Sequence, residues 1–270
     1  MPRLERDDGI EIHWEERGEG PLVVVVSYWS MHPSVFAPLT SELSRDHRVV
    51  RYDDRGTGRS THAGPYDLDT GAADLEAVIE AAGPPAVLVG TADGPHRAVR
   101  AAANRPDLVE AVVAVGGPPV SRKALADSEA MASSDAVVSA LLEMAGTDYR
   151  AALRTIVAST NPQMSEEELR ERIRAQAEHA PAEPAVTRLR AWADDDSAEQ
   201  ARALGARLWI VYAEQLGGGW FPQGPELAAL VSAILPDARL ERVDDGMVSR
   251  PEQTAAIVRR VTSQVRATRA

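Results

Sequence analysis

The sequence predicts an α/β protein with a mostly parallel central sheet, helices on both faces and a helical insertion late in the chain. Three observations predict it. Short runs such as PLVVVVSYW, PAVLVG and LVEAVVAVGG are apolar nearly throughout, the pattern of strands covered on both faces. They alternate with segments of helical period, the rhythm of a parallel sheet built from strand–helix–strand units. That rhythm stops after GGPPV, gives only helical patterns from about 121 to 206, and then resumes.

Each element follows from its local pattern. GIEIHWEE alternates and reads as a first strand; PLVVVVSYW is the next, buried one. HPSVFAPLTSELSRD reads as a helix and HRVVRYD as a strand. DTGAADLEAVIEAAG carries apolar residues at helical spacing and a glycine stop. PAVLVG is a third buried strand, GPHRAVRAAANRP a helix and LVEAVVAVGG a fourth strand. In the insertion, DAVVSALLEMAG and SEEELRERIRAQAEHA are helical. The alternation closes with ARLWIVYAEQ, the helix GPELAALVSAIL, the strand ARLERVDD and the helix PEQTAAIVRRVTSQVRA. The core is therefore expected at 1–120 and 207–270. The insertion at 121–206 is expected as a cap, or lid, over the carboxyl ends of the strands, where open α/β sheets bind ligands.

Composition narrows the function classes. With 270 residues, 44% of them hydrophobic and 26% charged, the chain can bury a large core. A net charge of -12 opposes a phosphate backbone, so no nucleic-acid partner is expected. There is no cysteine, and the six histidines show no HxxxH spacing, so no metal site is expected. No apolar run approaches membrane-spanning length, and the start MPRLERDDGIEIHWEERG has no basic-then-apolar signal region. A cytoplasmic location is the default expectation, and homodimerisation is left open.

Several motifs, in order, carry a resemblance. YDDRGTGRS resembles the strand-end motif D-x-R-G-x-G-x-S of the α/β-hydrolase family, and DGIEIHWEERGEGPLVVVV resembles that family's opening hairpin and third strand. VLVGTADG resembles its nucleophile elbow, G-x-S-x-G. Pro106, fourteen residues after Ala92, matches a proline often found there in the family. GMVSRPEQTAAIV resembles the segment of the family's histidine, and the similarity spans nearly the whole chain except the cap. The resemblance implies an α/β-hydrolase fold and, in ordinary members, a nucleophile, a histidine base and an acid.

Those three positions are changed here. The nucleophile position is Ala92, the histidine position is Met247 and the acid position falls near Leu216. Backbone N–H groups of Trp29 and Asp93 resemble the family's oxyanion donors, which need no particular side chain.

Three other groups are candidates for chemistry. Asp93 could act as a base or carboxylate nucleophile, or could simply favour the start of the following helix. His32 in SYWSMHPS could serve as acid or base at the pocket mouth, or be a surface loop residue. Glu214 could replace the missing acid. His96, four residues after Ala92, reads rather as a hydrogen-bonded core histidine, and Asp53, Asp54 and Arg55 as loop-holding residues. Tyr28, Trp29, Trp192 and Trp220, with Ala92, Leu216 and Met247, are expected to line an apolar substrate site.

The leading expectation is a non-hydrolytic, cofactor-independent enzyme: an isomerase, epimerase or cyclase acting on a hydrophobic biosynthetic intermediate. Orientation and exclusion of water would drive it. The alternatives are an epoxide or lactone hydrolase using Asp93, and a catalytically dead small-molecule-binding protein.

Overall fold

The apolar runs form the middle of one sheet, and their period-two alternation builds two cores. In the computed structural model, residues 3–125, 129–213, 224–244 and 250–268 are described. Every residue of β3 (Leu22–Val26) and of β6 (Val109–Val115) is buried. In β3, Leu22, Val24 and Val26 join the core on one face, while Val23 and Val25 join that on the other. The same division runs through β5 (Ala86–Thr91) and β7 (Leu208–Ala213): Leu88 and Ile210 face one way, Val89 and Val211 the other. Each such side chain contributes about 1.5–3 kcal/mol by leaving water.

The remaining strands are β1 (Arg3–Glu5), β2 (Glu11–Arg17), β4 (Arg48–Tyr52) and β8 (Arg239–Val243). Among the described residues the order is β1-β2-β4-β3-β5-β6-β7-β8. β1 and β2 pair antiparallel, as do β2 and β4, and the other neighbours are parallel. The three-residue edge strand β1 is not anticipated from sequence, because it is too short to show a period.

Helices cover both faces. α2 (Leu68–Ala82) and α3 (Gly94–Asn104) bury their apolar stripes in one core, α1 (Ala37–Leu43) and α11 (Pro251–Ala267) in the other. α2 starts where the Asp67 carboxylate accepts the Thr70 N–H at 2.7 Å and stops at Gly83, whose φ of 88° few other residues adopt. The expected helix over HPSVFAPLTSELSRD is split: a 3-10 turn at Pro33–Phe36 precedes α1. Pro33 and Pro38 lack the N–H groups a continuous helix would use.

Between β6 and β7 lie α4 (Arg122–Leu125), α5 (Glu129–Thr147), α6 (Tyr149–Thr160), α7 (Glu166–His179), α8 (Ala182–Ala193) and α9 (Ala198–Leu204). α7 opens on a capping box in which Ser165 and Glu168 bond each other's backbone N–H. α10 (Pro225–Ile234) then links β7 to β8. Among the described residues no helix is long and apolar enough to cross a membrane.

Strand order reverses between β3 and β5, since β4 lies on one side of this pair and β6 on the other. Ligands of open α/β sheets bind in the crevice beyond the strands at such a point. The two loops that meet there follow β3 and β5, and they carry Tyr28–Met31 and Ala92–Asp93.

Candidate functional site

β5 runs into α3 through one tight turn. Ala92 sits at its tip with φ of +51°, a left-handed conformation that costs an L-residue about 1–2 kcal/mol. The turn needs close backbone approach: a Cβ on Gly94 would lie 3.1 Å from the carbonyl oxygens of Val26 and Ser27. The strained geometry that would present a nucleophile is therefore kept, while the residue presented carries only a methyl group.

Asp93 is fully buried. It stands at the N-terminus of α3, where the dipole favours a carboxylate, but makes no side-chain capping bond there. Its Oδ1 accepts the backbone N–H of Trp29 at 2.7 Å, and its Oδ2 lies 3.2 Å from Arg97 of α3. Trp29 N–H is one of the two donors that the family resemblance assigns to an oxyanion. In this structure it holds a carboxylate of the same chain. Burial pushes the Asp93 carboxyl above its ordinary value, with the Arg97 guanidinium and the Trp29 N–H pulling the other way.

Arg97 is the hub beneath this turn and is itself fully buried. It donates to Asp54 Oδ1 at 2.6 Å and to the carbonyl of Ser27, and Ser27 Oγ donates to the other Asp54 oxygen at 2.5 Å. Room for its stem comes from Gly71 of α2, where a Cβ would approach Arg97 Cδ to 2.7 Å. Burial works against the Asp54 carboxylate, but Arg97, Arg188 and Ser27 outweigh it and hold its pKa below the usual value.

The insertion helices grip the opposite loop. Trp29 and Ser30 both have positive φ, 44° and 59°. Gln176 of α7, fully buried, accepts the His32 N–H at 2.6 Å and donates to Ser30 O at 3.0 Å. Arg188 of α8 donates to Ser30 Oγ at 2.6 Å and to Arg55 O at 2.5 Å. Burial pulls the Arg188 pKa down, with Asp54 and Asp93 opposing.

Sequence reasoning missed Arg97, Gln176 and Arg188. The one local signal was an arginine four residues after Asp93 on an otherwise apolar helix face. Asp53, Asp54 and Arg55 do hold loops: Arg55 bonds Asp74 at 2.6 and 2.7 Å, and Asp53 accepts the Arg59 N–H at 3.0 Å.

Of the expected apolar lining, Tyr28, Trp29 and Trp192 are brought together in edge-to-face contacts, with centroids 5.9 Å apart for the first pair and 5.3 Å for the second. Trp192 is buried among α5, α6 and α8, and Trp29 packs against that cluster. The Trp29 indole Nε1 is buried with no acceptor among the described residues. Burial pushes the Tyr28 hydroxyl up to about 12, so it stays protonated. Glu214, Leu216, Trp220 and Met247 lie outside the described residues.

Of the catalytic candidates among the described residues, Asp93 and His32 do not line one cleft. His32 lines a different cleft, with Glu15, Arg51, Asp53, Arg59 and His179, to which neither Ala92 nor Asp93 belongs. His96 is a buried histidine, as the sequence suggested: its Nδ1 bonds Asp195 at 2.6 Å, and Ser197 Oγ lies 3.3 Å from the same nitrogen.

A switch-point crevice, a strained strand–turn–helix elbow and helices inserted after β6 together define the α/β-hydrolase fold. A model of the alpha/beta hydrolase family matches residues 22–259, and the chain belongs to that family. A pimeloyl-[acyl-carrier protein] methyl ester esterase of Aliivibrio salmonicida is 31% identical over 108 residues, 40% of each chain. A 2-(acetamidomethylene)succinate hydrolase of Mesorhizobium japonicum is 35% identical over 108 residues, 39% of each. Polyketide synthase ThaQ of Burkholderia thailandensis is 37% identical over 114 residues, 42% of this chain but 6% of that protein. The matched stretch thus spans less than half of each of these relatives. Among solved structures, an esterase from Exiguobacterium antarcticum superposes with a TM-score of 0.77 at 18% identity, covering 98% of both chains. A bromoperoxidase from Bacillus anthracis gives 0.76 at 19%, covering 94% of this chain and 96% of that one. At these identities the likeness concerns the fold.

Proposed function

We propose that this chain is a non-hydrolytic member of the family, whose pocket binds and orients an apolar small molecule without passing through an acyl-enzyme. One observation carries the reading: the elbow presents Ala92, and the adjacent Asp93 carboxylate occupies the Trp29 N–H. An oxyanion cannot share that donor with a carboxylate, and a methyl group cannot attack. The Tyr28–Trp29–Trp192 row supplies an apolar wall, and the Trp29 indole N–H supplies a donor for one ligand acceptor. Isomerisation, epimerisation or cyclisation suits such a site, because each gains from orientation and excluded water and none adds water. The helices at 121–206 serve as the cap in this reading.

The names of the relatives support a second reading, hydrolysis, and lend nothing to an isomerase or cyclase. In that reading water attacks directly. Asp93 is poorly placed to activate it, being buried against Arg97. Ligand extracted from the purified protein and returned to it in 18O-water decides between the two. Recovery unchanged, or as an isomer, supports the proposal; recovery with one added, labelled water overturns it.

A further inference from the structure

The cleft that holds His32 stands apart from the elbow and from the reading above. Its volume is about 420 Å³, and it is lined from the β2–β4 region with His179 of α7 closing one side. Glu15 comes from β2, Arg51 from β4, Asp53 and Arg59 from the loop after β4, and His179 from the last turn of α7. The wall is fixed where Gly58 N–H donates to His179 O at 2.7 Å.

The two histidines are not equivalent. His32 Nδ1 accepts the Ser34 N–H at 3.1 Å and lies 2.9 Å from Ser34 Oγ. A nitrogen that accepts a backbone N–H carries no proton, so the proton of this neutral ring is on Nε2. That Nε2–H has no protein acceptor among the described residues. The ring centroids of His32 and His179 lie 5.0 Å apart with their planes at 66°, and neither His179 nitrogen has a hydrogen-bond partner among the described residues. One ring is thus a fixed neutral donor, and the other is free to take a proton.

The fixed charges cancel. Arg51 is taken up by Glu15 and the Pro33 carbonyl. Arg59 is half exposed, and its interactions include ion pairs of 3.4 Å to Asp53 and 3.5 Å to Glu15. A protonated His179 therefore tips these lining charges to one net positive charge, with the His32 ring 5.0 Å away. Arg172 of α7 adds a positive field at His32, and His62, bonded to Gly58 O at 3.2 Å, adds a weaker one at His179. A metal is not what this pair suits: a protonated Nε2 has no lone pair to give, and among the described residues no three His, Asp or Glu side chains form a ligand set.

We propose that this cleft is a second binding site, for a small oxyanion, a carboxylate or a phosphate, held by His32 Nε2–H, the His179 imidazolium and the Arg59 guanidinium. Burial, helped by His32 and His62, lowers the His179 pKa, and the carboxylates of Asp53 and Asp54 oppose it, so His179 is neutral in the empty cleft at neutral pH. Binding an anion favours the protonated ring, and by linkage affinity rises as pH falls through the histidine range.

Nitrogen-detected histidine spectra of the whole chain, titrated with inorganic phosphate and separately with malonate at constant ionic strength, test this. Both His32 and His179 resonances are expected to move, with affinity about ten-fold higher near pH 6 than near pH 8. Stronger response to phosphate identifies a phosphate ligand, and stronger response to malonate a carboxylate. His179→Gln is expected to remove the pH dependence, and Arg59→Gln to weaken binding at both pH values. Wild-type histidine signals that ignore both probes overturn the proposal without any variant, as does unchanged pH-dependent binding in a folded His179→Gln protein.

Discussion

The carboxylate of Asp93 accepts the backbone N–H of Trp29 at 2.7 Å, across 64 residues of sequence. The bond joins the loop after β3 to the turn after β5 and takes up the Trp29 N–H that the family resemblance assigns to an oxyanion. Arg97 below it makes the carboxylate tolerable. The consequences can be measured.

Under the proposed reading, a hydroxyl at the elbow tip does not by itself give hydrolysis. Ala92→Ser places a hydroxyl at the elbow tip but leaves the Trp29 N–H occupied, so ester turnover stays within about two-fold of wild type, where a working oxyanion donor is worth about 10²–10³ in kcat. Steady-state assay with p-nitrophenyl acetate checks this. A large gain from the single substitution means the donor is free.

Ala92 also pays a conformational penalty that glycine would not. Ala→Gly in a regular element costs about 0.5–1 kcal/mol, whereas at φ of +51° relief of strain offsets the added chain entropy. Ala92→Gly is expected to leave stability unchanged or raise it by up to about 1 kcal/mol in urea unfolding. A loss comparable to that at a helical alanine contradicts the geometry.

Removing Arg97 strands two buried carboxylates. Arg97→Met takes from Asp54 and Asp93 the guanidinium that pairs with both and leaves only the field of Arg188, and breaking a buried pair costs about 3–5 kcal/mol. Arg97→Met combined with Asp93→Asn and Asp54→Asn should recover a good part of this, because no uncompensated charge is then left inside. Failure of the triple variant to recover any stability shows that packing, not charge, is what Arg97 supplies.

The junction between α3 and the end of the insertion gives an acid-limb signature. Burial works to raise the Asp195 carboxyl, but bonds from His96, Arg100 and Ser197 outweigh it and hold the pKa well below the usual value. A depressed folded pKa contributes stability above the unfolded value and loses it as pH falls through and below that value. Thermal melts of the wild type should therefore drop from about pH 5 to about pH 3, and those of Asp195→Asn should start lower and fall less. Parallel curves contradict the assignment.

Much of the scaffold was legible because parallel strands covered on both faces read as unbroken apolar runs, as in Val23 to Val26, and because Asp67 and Gly83 mark a helix by simple capping chemistry. The elbow was legible for the same reason: Gly90 and Gly94 are needed for close approach whatever stands between them. The polar network was not. Gln176 and Arg188 reach Ser30 from 146 and 158 residues away, and no local period reports such pairings. Asp93 and His32 both lie near strand ends, so each is a candidate for chemistry from sequence, and nothing local says whether they share a cleft. Asp93 turns inward to Arg97, four residues on in its own helix, while His32, its backbone held by Gln176 of α7, lines a separate cleft.

The most direct measurement is hydrolysis of esters, lactones and epoxides in 18O-water by wild type and Asp93→Asn, with product isotope content read by mass spectrometry. The account predicts no enzyme-dependent label in either protein, because Asp93 is bound to Trp29 and Arg97 and Ala92 offers no nucleophile. Saturable wild-type labelling that disappears in Asp93→Asn would contradict it and make Asp93 the catalytic carboxylate of a hydrolase.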